Sequence, residues 1–352
     1  MASRAPTDIT RLLAVELPII QAPMATAQGS ALAIAVSNAG GLGSLPCAAL
    51  SSDQIRGELA AITAATSKPY NVNFFVHRQP APDEVREAAW RELLSPYYAE
   101  LGIDQSAIES GPGRLPFSDE AADLLEEFKP PVVSFHFGLP SEAHMARLKR
   151  WGAKVLSSAT TVEEARWLEA RGVDAVIAQG IEAGGHRGIF LSEDLDTQVG
   201  TAALVQQIAK AVRVPVIAAG GIADAGGVKA ALQLGASGVQ VGTAYLLCPE
   251  ATTSPVHRAA LKSDAAAFTA VTNVFTGRPA RGIVNRLMRE VGPISGAAPA
   301  FPLAVSVVLP LRMTAEGRGS SDFSSLWAGQ NVSGCREMPA AELTRLLAGD
   351  LS

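Results

Sequence analysis

Short apolar runs rich in β-branched residues alternate with longer amphipathic segments along the chain. The apolar runs predict eight β-strands, at residues 18–24, 41–46, 71–75, 132–138, 154–159, 174–180, 215–221 and 238–243. Several of the amphipathic segments begin at Ser, Thr or Asp and end at Gly, as capped helices do. Thr161, followed by Glu164, has the spacing of a capping box.

The order of these elements predicts the fold class. Alternating strands and helices are typical of either a (β/α)8 TIM barrel or a doubly wound sheet. The second half of the chain repeats strand–helix–strand units of about the minimum length, for example over residues 154–180. This repetition favours an α/β fold built on a (β/α)8 TIM barrel.

Two segments interrupt the alternation. Residues 78–130 are interpreted as an elaborated connection after the third strand. Residues 256–329 follow the eighth strand, include an apolar run broken by prolines at 298–311, and predict a smaller lid or substrate domain. We therefore expect a barrel domain over residues 1–255, completed by a C-terminal helix within 330–352, with the small domain inserted after strand eight.

Composition narrows the class of protein. The chain has 352 residues, of which 48% are hydrophobic and 18% charged, so a sizeable core is available. A net charge of −5 gives no basic surface for nucleic acid or an anionic membrane. Three widely spaced cysteines, without a CxxC pair, indicate a reducing compartment rather than a disulfide framework or a zinc site. Neither a signal peptide nor a membrane-spanning run is recognised, so we expect a cytoplasmic protein.

Candidate binding residues cluster at the ends of the predicted strands, where a barrel places its functional loops. They are Met24, Asn73, Gln179, Gly220, Gly221, Gly242 and Thr243. The glycines after strands seven and eight predict a phosphate site, because they let backbone N–H groups approach an anion. No Rossmann or Walker motif accompanies them. FMN suits such a site, since its flat ring can use the amides of Asn73 and Gln179; a purely structural role of these residues is the alternative.

Two of the five histidines are candidates for catalysis. His186 follows the sixth strand in a glycine loop, where its imidazole can accept a proton from a carbon acid. His136 lies in the fourth strand, whose alternation directs it into the barrel mouth. His77, His144 and His257 are expected at the surface, and a structural role for either candidate stays open. Neither a serine elbow nor metal-ligand spacing is present, so no metal is expected.

Taken together, the motifs resemble those of the nitronate monooxygenase family, formerly named 2-nitropropane dioxygenases, and particularly its bacterial class I branch. The matching stretches run in family order from about residue 10 to 350 and include PIIQAPM, SNAGGLGS, NVNFF, VVSFHFG, AQGIEAGGHRG, AAGGIADAGG, TGRPARGIVNR and WAGQ. The resemblance implies an FMN-containing TIM barrel with a lid domain, which uses O2 and no nicotinamide cofactor. It also implies oxidation of alkyl nitronates to carbonyl compounds and nitrite through a flavosemiquinone.

The resemblance also implies roles for individual residues. His186 falls on the catalytic base of members that act on nitroalkanes, and His136 on a second active-site histidine that holds the nitro group. The implied FMN contacts are Met24 beneath the ring, Asn73, Gln179, Gly184, Gly221, Gln240, Gly242 and Thr243. A small-molecule substrate and O2 are the expected partners, and the sequence leaves room for an oligomer.

The sequence departs from the family pattern in the expected lid. Where class I members carry two tyrosines and a lysine, this chain has Phe301, Val305 and Leu309 at equal spacing. We expect these side chains to make the substrate pocket apolar and to favour a larger apolar substrate, unless the segment only packs the lid. A related FMN-dependent enoyl reductase, or a tailoring oxidase acting on a bulkier apolar metabolite, is therefore the alternative function. A flavin-binding protein without turnover is a second alternative.

Overall fold

Eight parallel strands close into a barrel in the computed structural model, which describes residues 9–107 and 114–351. The strands of the described residues, in chain order, are β1 (Ile19–Gln21), β2 (Gly43–Pro46), β3 (Tyr70–Phe75), β4 (Val132–His136), β5 (Lys154–Ala159), β6 (Ala175–Gln179), β7 (Gly185–His186), β8 (Val216–Ala219), β9 (Gly238–Val241), β10 (Thr269–Thr272) and β11 (Ala280–Ile283). The barrel follows the order β1-β9-β8-β6-β5-β4-β3-β2. A parallel bridge between Ile20 and Leu42 closes it. The predicted barrel is confirmed, and all eight predicted strands are present.

Helices surround the barrel, and some of them extend beyond it into a second unit. In chain order they are α1 (Ile9–Leu13), α2 (Ser30–Asn38), α3 (Ser52–Ala65), α4 (Glu84–Leu101), α5 (Asp119–Phe128), α6 (Glu142–Arg150), α7 (Val162–Ala170), α8 (Thr201–Ala211), α9 (Ala225–Gln233), α10 (Pro255–Leu261), α11 (Arg286–Glu290), α12 (Val305–Gly317) and α13 (Ala340–Ala348). The C-terminal helix α13 packs against α2 and α9. In the described part of the chain, no helix has both the length and the apolar character that crossing a membrane requires.

Apolar side chains fill the amino-terminal part of the barrel interior. Ile20, Leu156, Ile177 and Ile217 are buried there, and Ile9 of α1 joins the same cluster. This cluster also holds Val132 and Ala175, the first residues of β4 and β6. Helix α1 therefore covers the amino-terminal end of the barrel, and the carboxyl end stays available for a site.

Glu164 connects helix α7 to the loop after β6. Thr161 Oγ1 accepts a hydrogen bond from the backbone N–H of Glu164 at 3.1 Å, as the capping-box spacing predicts. The reciprocal half of the predicted box is wrong, because the Glu164 carboxylate accepts from the backbone N–H of Thr160 at 2.7 Å and of Phe190 at 2.6 Å. The buried carboxylate thus anchors the chain just beyond His186.

A second hydrophobic core lies outside the barrel. Its members come from α4, from α11 and α12, and from the loops around them; they are Trp90, Leu94, Tyr97, Tyr98, Val274, Phe275, Leu287, Met288, Ala298, Val307, Val308, Leu311, Ala315 and Phe323. The Tyr98 hydroxyl donates a hydrogen bond to the Val307 carbonyl across the two helices. The connection after β3 therefore shares a core with the segment after β9.

A small antiparallel sheet ties this second unit to the barrel. Its order is β10-β11-β7, and β11 pairs with β7 so that Ala280 lies opposite His186. The two-residue strand β7 is part of the loop that follows β6. The predicted catalytic histidine consequently lies at the junction of the two units.

Candidate active site

A cavity lies at the carboxyl ends of the barrel strands, between the barrel and the segment after β9. It is lined by eleven of the fourteen site residues that the sequence predicts: Met24, Asn73, His136, Gln179, Gly184, His186, Gly220, Gly221, Gln240, Gly242 and Thr243. They come from loops far apart in the chain, which the parallel barrel brings to one rim. The remaining three, in the lid, are placed differently.

The lid residues do not form a shared wall of the cavity. Phe301 is buried, and its ring centroid lies 5.3 Å from that of His186. Val305 begins α12, and Leu309, one turn further along, is 42% exposed. The buried face of α12 instead carries Val307, Val308 and Leu311. None of the three predicted lid residues is among those lining the cavity, and only Phe301 reaches the surroundings of His186.

The His186 imidazole is held by one hydrogen bond and a group of aromatic rings. Its Nε2 lies 3.0 Å from Thr276 Oγ1. The rings of Phe75 and Trp327 have centroids 5.9 and 5.6 Å from that of His186. Burial first, and then the nearby Arg114 guanidinium, lower the pKa of His186 well below its usual range. The imidazole is therefore neutral at pH 7 and able to accept a proton.

His136 uses both ring nitrogens inside the protein. Nε2 lies 3.0 Å from the backbone carbonyl oxygen of His186, and Nδ1 lies 3.0 Å from Ser158 Oγ. Because a carbonyl can only accept, Nε2 carries the hydrogen and Nδ1 accepts from the Ser158 hydroxyl. Burial lowers the pKa of His136 to about 4. In this arrangement the neutral His136 fixes the main chain of His186.

Gln179 fixes the same loop from the end of β6. Its Nε2 donates to the His186 carbonyl at 3.0 Å, and its Oε1 accepts from the Gly188 N–H at 2.7 Å. The fully buried Arg187 donates to the Gln179 carbonyl at 2.8 Å, and burial lowers the pKa of its guanidinium to about 9. The loop from β6 to β7 is therefore rigidly placed by side chains that face the barrel.

The glycine loops have no room for side chains at several points. Gly220 and Gly221 have φ of +123° and +71°, which favour glycine. A Cβ on Gly184 would lie 2.6 Å from the backbone carbon of Ala328. The segment that contains Ala328 crosses these loops, because the Gly329 N–H donates to Thr243 Oγ1 at 2.9 Å. The loops after β6, β8 and β9 are thus packed closely around one space.

Several cavity residues were not anticipated from the sequence. The expectation that His77 and His257 lie at the surface is wrong, since they are 5% and 9% exposed. His257 lines the cavity together with Thr253 and Arg312. Whether α10 is buried depends on how the segment after β9 folds back over the barrel, and no local sequence pattern reveals this.

The cavity is electropositive. Arg114 and Arg312 line it, and no Asp or Glu side chain of the described residues does. Burial and the Arg312 charge lower the pKa of Arg114. The Arg312 Nε donates to Glu316 at 2.8 Å, which offsets part of one charge. Such a cavity favours an anionic ligand. Within residues 9–107 and 114–351, no cluster of His, Cys, Asp and Glu is arranged to hold a metal ion.

A parallel (β/α)8 barrel with close-packed glycine loops and a neutral histidine beside an electropositive cavity defines a TIM-barrel enzyme that binds its ligands at the carboxyl rim. The family model for nitronate monooxygenase matches residues 7–350. The chain therefore belongs to the nitronate monooxygenase family and is an oxidoreductase, as its motifs predict.

Individual relatives agree with this assignment. The chain is 46% identical to the nitronate monooxygenase of Pseudomonas aeruginosa, covering 97% of this chain and 98% of the relative. The crystal structure of nitroalkane oxidase from Streptomyces ansochromogenes superimposes with a TM-score of 0.89 at 40% identity, over 97% of both chains. FabK from Thermotoga maritima superimposes with a TM-score of 0.71 at 28% identity, over 98% of this chain and 95% of that one.

Proposed function

We propose that the protein oxidises alkyl nitronates with O2 to carbonyl compounds and nitrite, with FMN as its cofactor. The observation that carries the proposal is the neutral imidazole of His186 in the wall of an electropositive cavity. A nitronate is a small anion, and its parent nitroalkane is a carbon acid. The nitronate anion suits the positive charge of the cavity. The nitroalkane suits a neutral histidine, which can accept its proton.

The residues of the cavity fit FMN. Gln240 lines the cavity, and its Oε1 is buried without a hydrogen-bond partner among the described residues. A buried acceptor of this kind is satisfied by an N–H of a bound ligand, and a flavin ring carries one. The Gly220–Gly221 and Gly242–Thr243 loops would hold the phosphate, and Met24 would lie beneath the ring. Bound FMN supplies an electron acceptor that can be reoxidised by O2.

His186 acts as the base for neutral nitroalkanes in this proposal. With Nε2 held at Thr276, Nδ1 is the ring nitrogen that remains for the proton of the substrate carbon. Arg114 and Arg312 attract the nitronate and keep it in its anionic form. His136 is a positioning residue, because it binds the His186 main chain; contact between His136 and the nitro group would require one of its two hydrogen bonds to be exchanged.

We also propose that residues 256–329 act as the lid over the barrel domain, and that Phe301 contributes the apolar side of the substrate pocket. Phe301 lies beside His186, and its ring centroid is 4.8 Å from that of His77.

The cysteines Cys47, Cys248 and Cys335 are free thiols, which suits a reducing cytoplasm.

Oxygen uptake tests the proposed function. Purified protein loaded with FMN is mixed with ethane nitronate in air-saturated buffer, and O2 consumption and nitrite are measured against free FMN at the same concentration. Uptake that matches free FMN would refute the nitronate assignment. A parallel anaerobic mixture with NADH or NADPH follows flavin bleaching, and rapid bleaching there would instead support the reductase alternative.

A further inference from the structure

Besides Gln240, two cavity residues have buried polar atoms that nothing in the described chain satisfies. They are Thr253 Oγ1 and His257 Nε2. Thr253 and His257 are 6% and 9% exposed, and both line the cavity. An unpaired buried hydroxyl or imidazole nitrogen is costly, so each such atom in a folded protein calls for a partner. Here two of them lie within one stretch, just before and within α10.

Three side chains supply the hydrogen-bonding groups here: the imidazole of His257, the hydroxyl of Thr253 and the guanidinium of Arg312. The His257 ring lies beside the backbone carbonyl of Trp327, which opposes part of the lowering of its pKa. Nε2 has no hydrogen-bond partner among the described residues, and a nitrogen of a neutral imidazole either donates or accepts a hydrogen bond. Burial first, and then the Arg312 charge, lower the pKa of His257 to about 4, so the ring is neutral. The Thr253 hydroxyl can donate or accept, and the Arg312 guanidinium donates.

Trp327 links this stretch to the catalytic histidine. Its indole ring packs against the His186 ring, with centroids 5.6 Å apart. Its backbone carbonyl lies beside the His257 ring. His186 and His257 thus both contact Trp327, and Thr253 lines the same cavity as the two histidines. A substrate held at His186 can extend through this cavity toward the two unsatisfied atoms.

We propose that Thr253 and His257, with Arg312, form a polar subsite for the distal end of the substrate, and that this end is a neutral group able both to donate and to accept a hydrogen bond. A hydroxyl or a carboxamide has this chemistry. Such a group pairs with His257 Nε2 in either tautomer of the imidazole, while its oxygen accepts from the Thr253 hydroxyl or the Arg312 guanidinium. The inference deepens the proposed function and rests on it: the substrate is a nitronate whose chain ends in such a group.

The test compares two nitronates of equal length. Butane-1-nitronate ends in a methyl group, and 3-hydroxypropane-1-nitronate carries a hydroxyl in its place. We expect kcat/KM of the wild-type protein to be about tenfold higher for the hydroxylated nitronate, the difference that one or two buried hydrogen bonds make. Thr253→Val, which keeps the shape and loses the hydroxyl, lowers this preference by about threefold or more. Thr253→Ser keeps the hydroxyl and retains the preference.

FMN content and calorimetric titration distinguish the possible outcomes of this comparison. Equal kcat/KM for both nitronates in the wild type, or an unchanged preference in Thr253→Val, would mean that only water satisfies these atoms and would overturn the subsite. A loss of FMN content in Thr253→Val with an unchanged preference would do the same. If neither nitronate consumes O2, the proposed function fails; calorimetric titration with 3-nitropropan-1-ol and 1-nitrobutane under nitrogen then decides the subsite by their relative affinity.

Discussion

The His136 imidazole donates a hydrogen bond to the backbone carbonyl of His186 over a distance of 3.0 Å. One candidate catalytic histidine therefore positions the other, while the Ser158 hydroxyl donates to its Nδ1. Both residues line the same cavity, and substitution of either should affect the same substrates, with the smaller loss at His136.

Replacing His136 by Phe should lower activity on nitroalkanes more than on nitronates. The change leaves the His186 carbonyl without one donor and the Ser158 hydroxyl without an acceptor, so the loop carrying His186 shifts and the base is misplaced. We expect kcat/KM to fall about tenfold on nitroethane and less on ethane nitronate, measured as O2 uptake. His144→Phe on α6, outside the cavity lining, is the matched control. An unchanged kcat/KM on nitroethane would contradict the positioning role.

Replacing His186 by Asn should affect nitroalkanes far more than nitronates. The base is needed only when the substrate carbon still carries its proton, and loss of a general base costs roughly 100-fold or more. Initial rates with nitroethane and with ethane nitronate, taken at the same pH, give the two factors. Losses of equal size on the two substrates would argue against proton abstraction by His186.

The free energy of unfolding should decrease as the pH falls below the pKa of free histidine. His77, His136 and His257 have pKa values lowered to about 4, mainly by burial, from the ordinary 6.5. Between these pH values the unfolded chain binds more protons than the folded one, so the free energy of unfolding decreases with falling pH. We expect Tm to be nearly constant from pH 8 to 7 and to fall between pH 6.5 and 4.5.

A non-titrating variant provides the check on this pH dependence. His257→Gln removes one of the buried groups, so the slope of Tm against pH between 6.5 and 4.5 should become shallower. Differential scanning calorimetry measures it. A Tm that does not change over this range in the wild type would be inconsistent with neutral buried histidines.

Gly184→Ala should weaken cofactor retention. The new Cβ would lie 2.6 Å from the backbone carbon of Ala328 and from the nitrogen of Gly329, so the segment that crosses the glycine loops must move. We expect the purified variant to contain substantially less FMN, measured from its absorbance after denaturation. Gly57→Ala in α3 is the control: nothing lies within 4 Å of its Cβ. It should bind FMN normally and be stabilised by about 0.5–1 kcal/mol.

Phe301 and Leu309 should differ sharply in their contribution to stability. Phe301 is buried with Phe75 and Phe137, and Phe301→Ala should cost about 3 kcal/mol or more of the free energy of unfolding. Leu309 is 42% exposed, and Leu309→Ala should change it by about 0.5 kcal/mol or less. Urea unfolding measures both. Similar losses for the two variants would indicate that α12 buries Leu309 in solution.

The barrel and its rim could be predicted because their signals are local. Apolar runs mark each strand, capping residues mark the helices, and parallel connections force the carboxyl ends of the strands together. Asn73 and Gln179 lie near the carboxyl ends of β3 and β6, and His186 lies in the loop that follows β6, so their convergence follows from the topology alone. The half-formed capping box at Thr161 is the exception, since Glu164 finds partners in the loop after β6 instead.

The packing of the segment after β9 could not be predicted, because its contacts are distant in sequence. The spacing of Phe301, Val305 and Leu309 suggests one face of a helix, but α12 begins only at Val305. Its buried face is chosen by packing against α4, which belongs to the connection after β3. His257 likewise contacts the backbone of Trp327, which is distant from it in the sequence. No pattern within either segment encodes these partners.

The pairing of α4 with α12 also sets an order of events during synthesis. The hydrogen bond from Tyr98 to Val307 spans 209 residues. At the usual elongation rates, α4 leaves the ribosome roughly 10 to 40 seconds before its partner is made. Trp90 and Leu94 must wait for that time without their native neighbours, while the barrel strands that follow are still being added. The nascent chain is therefore most exposed to aggregation, and most dependent on chaperones, in the interval between these two helices.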